Sequence, residues 1–253
     1  MEAQIRSVDG TEAGTRELPD AFETHYRPEL IRKAFSVAET NAKQPYGADP
    51  EAGRQHATES WGPGRGASRV PRLTQGDEAA FAPGTVGGRR AHPPKAEADR
   101  SEKINDKERR LARSSALAAT ADPDRVEDRG HEFDTDRLPV VVEDDLVDVA
   151  KTQQLRQTLG DLGLEADVDR AKEGRNVRAG KGTMRGRRYR TPVSVLVVVH
   201  EKGPITRATS NLPGVEFAVP EEINVPRLAP GGDAGRLTVF TETALDQLEE
   251  VVA

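Results

Sequence analysis

The chain has 253 residues, 35% of them hydrophobic and only 4% aromatic, and its 37 Lys and Arg stand against 43 Asp and Glu for a net charge of −6. That composition suits one modest core, and the absence of cysteine excludes disulfide frameworks, thiolate metal sites and cysteine nucleophiles. The start, MEAQIRSVDG, carries no apolar run after basic residues, and the longest apolar run, Val195 to Val199, is too short to span a bilayer, so a cytoplasmic protein with no membrane partner is expected.

In chain order, AQIRSVDGTEAGTREL reads as a strand or hairpin around Asp9-Gly10, and RPELIRKAFSVAETNA as a helix opened by Pro28, with Leu30, Ile31, Ala34, Phe35 and Ala38 on one face. From Gln44 to Arg100 the periodicity vanishes: nine glycines and seven prolines fill a segment that must be either disordered or functional. Asn105 and Glu108 then match a capping box, which predicts a helix through NDKERRLARSSALAATA with Leu111, Ser115, Ala118 and Ala119 on its packed face. Next come LPVVV as a strand, EDDLVDVAKTQQLRQTLGDLG as one helix, LEADVDRA as a strand, and PVSVLVVVH as a nearly continuous apolar strand. The tail adds a helix at ITRATSNL, strands at VEFAVP and GRLTVF, and a final helix at TETALDQLEEVV with Thr241 or Thr243 near its cap. Apolar strands alternating with helices indicate a mostly parallel α/β three-layer sandwich, a Rossmann-like body of residues 1–253 with one long extended loop inserted at 44–100.

Charge is segregated along this chain. Between Arg170 and Arg190 nine bases face one acid, Glu173, for +8, which leaves −14 on the remainder. Lysines number 9 against 28 arginines, and the general acidity resembles that of salt-adapted proteins, which stay hydrated through surface carboxylates. The local basic exception is the informative part, because it implies a polyanionic partner. In KGTMRGRRYR the glycines permit close backbone approach, the arginines offer bidentate forks to phosphate, and Tyr189 can stack on a base. The segment from Gly62 to Lys95 repeats that grammar with Arg65, Arg69, Arg72, Arg89, Arg90 and Lys95, flanked by Trp61 and containing Phe81.

Enzymatic readings fare worse. GRNVRAGKGT has five residues between its glycines where a phosphate loop needs four, and Gly182 stands where the magnesium-binding hydroxyl is required. Glu143, Asp144 and Asp145 follow a buried strand but read better as helix-start acids than as a magnesium site. His25, His56, His92, His131 and His200 lack ligand spacing, so no metal, cofactor or catalytic residue is expected. An α/β enzyme acting on a phosphorylated or nucleotide substrate through glycine-rich loops remains the alternative to an RNA-binding protein.

ESWGPGRGASRVPR, GGRRAHPPK, INDKERRLARSSALAATA, RGHEFD, AGKGTMRGRRYR and LAPGGDAGRLTVFTETALDQLE together resemble, in order and over nearly the whole chain, the archaeal and eukaryotic branch of the universal L-four family of large-subunit ribosomal proteins, in a member from a halophilic archaeon. The resemblance implies a structural constituent of the large subunit, present once per ribosome, that binds large-subunit ribosomal RNA beside neighbouring ribosomal proteins. It also implies that the inserted loop lines the nascent peptide exit tunnel near its tip, at Trp61, Gly62, Arg65 and Arg69. Arg72, Arg89, Arg90, His92 and Lys95 would grip RNA along the loop, and Lys181, Arg185, Arg187, Arg188, Tyr189 and Arg190 would dock the body on RNA. Asp49, Glu51, Asp77 and Glu78 dilute the loop's charge, as suits a salt-adapted member.

Overall fold

A computed structural model describes residues 1–135 and 137–252; Asp136 and Ala253, which the expected domain includes, lie outside the described residues. In chain order the elements are β1 (Glu2–Arg6), β2 (Glu12–Glu17), α1 (Pro28–Ala42), β3 (Thr58–Glu59), β4 (Arg72–Leu73), α2 (Asp106–Ala118), α3 (Pro123–Asp128), β5 (Val140–Val142), α4 (Thr152–Asp161), α5 (Glu165–Glu173), β6 (Asn176–Val177), β7 (Tyr189–Arg190), β8 (Leu196–Val198), α6 (Ile205–Ser210), β9 (Glu216–Ala218), α7 (Val225–Leu228), β10 (Thr238–Thr241) and α8 (Glu242–Val252). They fall into two compact units: a body, Met1–Glu39 with Glu102–Ala253, and an insert, Thr40–Ser101.

The body is built on a six-stranded sheet in the order β2-β1-β5-β10-β8-β9, parallel throughout except for the β1–β2 hairpin. Side chains alternate across it, and because both faces are covered both sets are apolar. Val141, Leu196, Val198 and Phe240 pack with Ile31 and Ala34 of α1, Ala112 and Ala116 of α2, Leu228 of α7 and Leu245 of α8. Val140, Val142, Val197 and Val239 pack on the other side with Val126 of α3, Leu155 and Leu159 of α4, Val168 of α5 and Ile205 of α6. Each such valine or leucine contributes about 1.5–3 kcal/mol by leaving water. The expected α/β sandwich with a mostly parallel sheet is therefore present.

Several local expectations need correction. LEADVDRA forms not a strand but helix α5, with Leu164, Val168 and Ala171 buried on one face at helical spacing. The segment after β5 is not one helix: a 3-10 turn over Asp144–Asp148 gives way to extended backbone at Lys151, where α4 begins. At the start of α2 the Asn105 side chain makes no capping bond, and Glu108 pairs with Lys33 Nζ at 2.6 Å, so the capping box is not formed. The packed face of α2 is Ala112, Ser115, Ala116 and Leu117, with Leu111 turned to solvent. On α1 Val37 is buried, with Ala38 half-buried beside it.

Strand β9 ends the sheet. Glu216 N donates to Val195 O and Val199 N to Ala218 O, so the peptide groups of Phe217 between them face the open edge. Its carbonyl accepts from Arg227 Nη1 at 2.7 Å, and the same guanidinium pairs with Glu222 at 3.1 Å.

Candidate nucleic-acid interface

The basic stretch forms a hairpin between α5 and β8. Asn176 of β6 lies opposite Arg190 of β7 and Val177 opposite Tyr189, and Arg178 N donates to Arg188 O at 2.8 Å to extend the ladder. At the tip a single 3-10 turn, Thr183–Arg185, is closed by Gly186 at φ 76°, a left-handed conformation that a side chain would strain. Thr183 Oγ1 donates to Arg178 O at 2.7 Å and so ties the tip to the ladder. Lys181, Arg185, Arg187, Arg188, Tyr189 and Arg190 are all exposed, as are Arg175 and Arg178, which the sequence reading counted as charge without naming as contacts. Among the described residues no acid pairs with any of these cations. Crowded like charges repel one another and are most stable against an external polyanion.

A buried polar cluster pins both ends of the hairpin to the body. Asp167 of α5 is fully buried; its Oδ1 accepts from Arg170 Nε at 2.9 Å and Glu132 N at 3.1 Å and lies 3.0 Å from His131 Nδ1, while Oδ2 accepts from Ser194 Oγ at 2.6 Å. Arg170, where α5 leads into the hairpin, also donates to Val193 O at 2.8 Å, where the hairpin returns. Burial alone would raise the Asp167 carboxyl, but the bonds from His131, Arg170 and Ser194 hold it below the usual carboxylate range. Arg236, 1% exposed, reinforces the return strand by donating from Nε to Ser194 O at 3.1 Å, and Glu216 balances its charge at 2.7 Å.

Within the insert, β3 and β4 pair Thr58 with Leu73 and Glu59 with Arg72. The ring of Trp61 is covered by Arg65 at 5.0 Å and Arg72 at 4.7 Å, Phe81 by Arg89 at 5.9 Å, and Tyr46 by Arg100 at 4.1 Å. Arg65, Arg69, Arg90, His92 and Lys95 are exposed, Arg89 is half-buried, and half-buried Arg72 also donates to Asp77 O at 2.6 Å. Gly62 is half-buried at φ 65° with open space where a side chain would stand. Arg54, Arg89 and Arg90 line a cleft of about 220 Å³ with Asp49 and Pro93.

Groups that could suggest catalysis are occupied structurally. Ser194, Asp167 and His131 meet, but the carboxylate sits between the other two and accepts from Ser194, whereas a nucleophilic serine needs the imidazole in that place. At the carboxyl ends of the parallel strands, where such sheets bind phosphates, Asp144 accepts from Thr243 N at 3.0 Å and Thr243 Oγ1 at 2.5 Å. It stands in the first turn of the Asp144–Asp148 3-10 helix, as expected of a helix-start acid, but its carboxylate caps α8 and fills the anion position with a group of the chain itself. A cleft of about 610 Å³ beside β9 has its polar lining engaged: Thr209 Oγ1 bonds Ile205 O, Asn224 caps α7, and Glu216 neutralises Arg236.

The model of the ribosomal protein L4/L1 family matches residues 16–251. The large ribosomal subunit protein uL4 of Haloarcula marismortui is 52% identical over 250 residues, covering 99% of this chain and 100% of the relative. That of Halobacterium salinarum is 49% identical over 252 residues with the same coverage, and that of the methanogen Methanococcoides burtonii 47% over 247, covering 98% of this chain and 97% of the relative. With a fold, two arginine-rich surfaces and full-length matches that agree, the chain belongs to the ribosomal protein L4/L1 family in its archaeal form, as a structural, non-enzymatic protein of the large ribosomal subunit.

Proposed function

We propose that the protein binds large-subunit ribosomal RNA through the 176–190 hairpin and through the insert, and that the insert reaches the peptide exit tunnel with Trp61, Gly62, Arg65 and Arg69 near its wall. In this reading residues 1–253 act as one α/β domain interrupted by an RNA-binding loop at 44–100, in one copy per ribosome, with neighbouring ribosomal proteins and the nascent peptide as further partners. The observation that carries it is the hairpin: in a chain of net charge −6, seven cations from Arg175 to Arg190 are exposed with no acidic partner among the described residues. Arginine forks suit phosphate, and such contacts add across a backbone.

Reversing two of these charges, Arg187→Glu with Arg188→Glu, should abolish co-sedimentation with large subunits while leaving far-ultraviolet circular dichroism unchanged. Undiminished incorporation would refute the hairpin's role. For the tunnel, deleting Trp61 to Phe81 should change ribosome occupancy on a stalling nascent chain while ordinary peptide synthesis continues, and identical stalling would remove the insert tip from the wall.

A further inference from the structure

The hairpin has two unlike faces. Alternation along the strands puts Val177 and Tyr189 on one side, with Arg175 diagonal to them, and puts Arg188 and Arg190 on the other. The Arg175 guanidinium lies over the Tyr189 ring, 4.4 Å from its centroid, and that of Arg188, although its backbone position faces the other way, reaches back to within 5.7 Å of the same ring. Tyr189 remains 46% exposed, and Val177, at 56%, continues an apolar strip beside it. A purely phosphate-binding hairpin has no need of an apolar face. The cost of leaving these groups in water, together with a guanidinium held over a ring, fits a planar aromatic ligand.

We propose that Arg175 and Tyr189 form a stacking platform for an unpaired base of RNA, while Arg190 on the opposite face holds the phosphate backbone. This rests on the RNA-binding reading of the hairpin and makes its ligand specific. Bases within a duplex are stacked on one another and present only edges and backbone, so a platform of this kind selects a single-stranded loop or bulge in which a base is splayed out. Arg175 is a contact residue in its own right, because its guanidinium covers one face of the ring and offers the base a planar surface there. The Tyr189 hydroxyl makes no hydrogen bond within the described residues and is dispensable. An acidic protein segment would match the charge of the hairpin but not its exposed ring and the guanidinium over it.

The test uses the full chain and an oligouridine of about 12 nucleotides carrying one 2-aminopurine. Anisotropy reports binding, and 2-aminopurine emission at saturation reports stacking. Wild-type protein should bind the single strand more tightly than the matching duplex and quench the emission severalfold. Tyr189→Phe should preserve both. Tyr189→Leu and Arg175→Lys should lose most of the quenching and about tenfold in affinity, the second despite keeping its charge. Arg190→Ala should weaken binding but leave the quenching at saturation intact, and Trp61→Leu in the insert should leave it intact as well. Binding without quenching, quenching unaffected by Tyr189→Leu or Arg175→Lys or lost with Trp61→Leu, or a preference for duplex would each overturn the platform while leaving RNA binding standing. Failure of the wild-type protein to bind either RNA would overturn the RNA reading of the hairpin itself, and would turn attention to an acidic protein partner.

Discussion

In the body, Val195 to Val199 and Val140 to Val142 are almost wholly removed from water, whereas across Thr40–Ser101 Ala80 alone is buried. The first region is held by burial on both faces of a sheet, at about 1.5–3 kcal/mol per large side chain. The second is held by backbone turns and by arginines over rings, contacts of about 0.5–1 kcal/mol each, against an ordering cost of about 1–2 kcal/mol per residue. Two regions of one chain thus differ in where their stabilisation comes from. The body contains its own, while the insert has grooves and charges that would become favourable on the RNA it is proposed to bind. The basic hairpin combines the two: its ends are tied to Asp167 in the core and its tip is solvated.

Substitutions should separate these regimes. The largest effect is expected for Phe240→Ala, which empties a site at the centre of the sheet and removes an edge-to-face contact with Phe22 at a centroid distance of 5.6 Å. It should cost about 3–5 kcal/mol in denaturant unfolding. Asp167→Ala should follow at about 3 kcal/mol, because it leaves the buried donors of Ser194 and His131 and the charge of Arg170 without their acceptor. Since the folded carboxyl of Asp167 titrates below its ordinary range, its stabilisation is fully present above that range and is lost as pH falls through the folded value. Acid unfolding of the Asp167→Ala protein should accordingly show a shallower pH dependence than wild type. Trp61→Leu should change global unfolding by no more than about 0.5 kcal/mol. A cost comparable to that of Phe240→Ala would show that the insert carries a core of its own. Amide exchange in the free protein sharpens the contrast further: insert amides should exchange with little protection while those of β8 and β10 exchange only through global opening.

Periodicity made the strands and most helices legible, because Val and Leu on both faces of a sheet leave few alternatives. It failed where the signal was short. In LEADVDRA the alternating Leu164, Ala166 and Val168 mimic a strand, and the helix becomes evident only because Asp167, a residue that sequence reading would leave in water, is drawn into the core by partners at positions 131, 170 and 194. The capping box at Asn105 was undone by Lys33, 75 residues away, which draws off Glu108. The charge of the hairpin was plain in the sequence, since seven bases between Arg175 and Arg190 need no structure to be noticed. The pairing of Arg175 with Tyr189 was not, because it depends on a strand register that places residues 14 apart on one face.

The Arg227 side chain that closes the carbonyl of Phe217 bears on the time before assembly. A ribosomal protein is released from its own synthesis into a crowded solution and waits there for RNA, and an open parallel sheet edge is a template on which a second copy can pair. With the one outward carbonyl of β9 already bonded and a charged guanidinium lying along the edge, an incoming strand would have to displace an ion pair to begin. The opposite edge, β2, is antiparallel and carries Glu12, Thr15, Arg16 and Glu17. Both margins of the sheet are therefore poor starting points for aggregation in the interval before the newly made chain joins the large subunit.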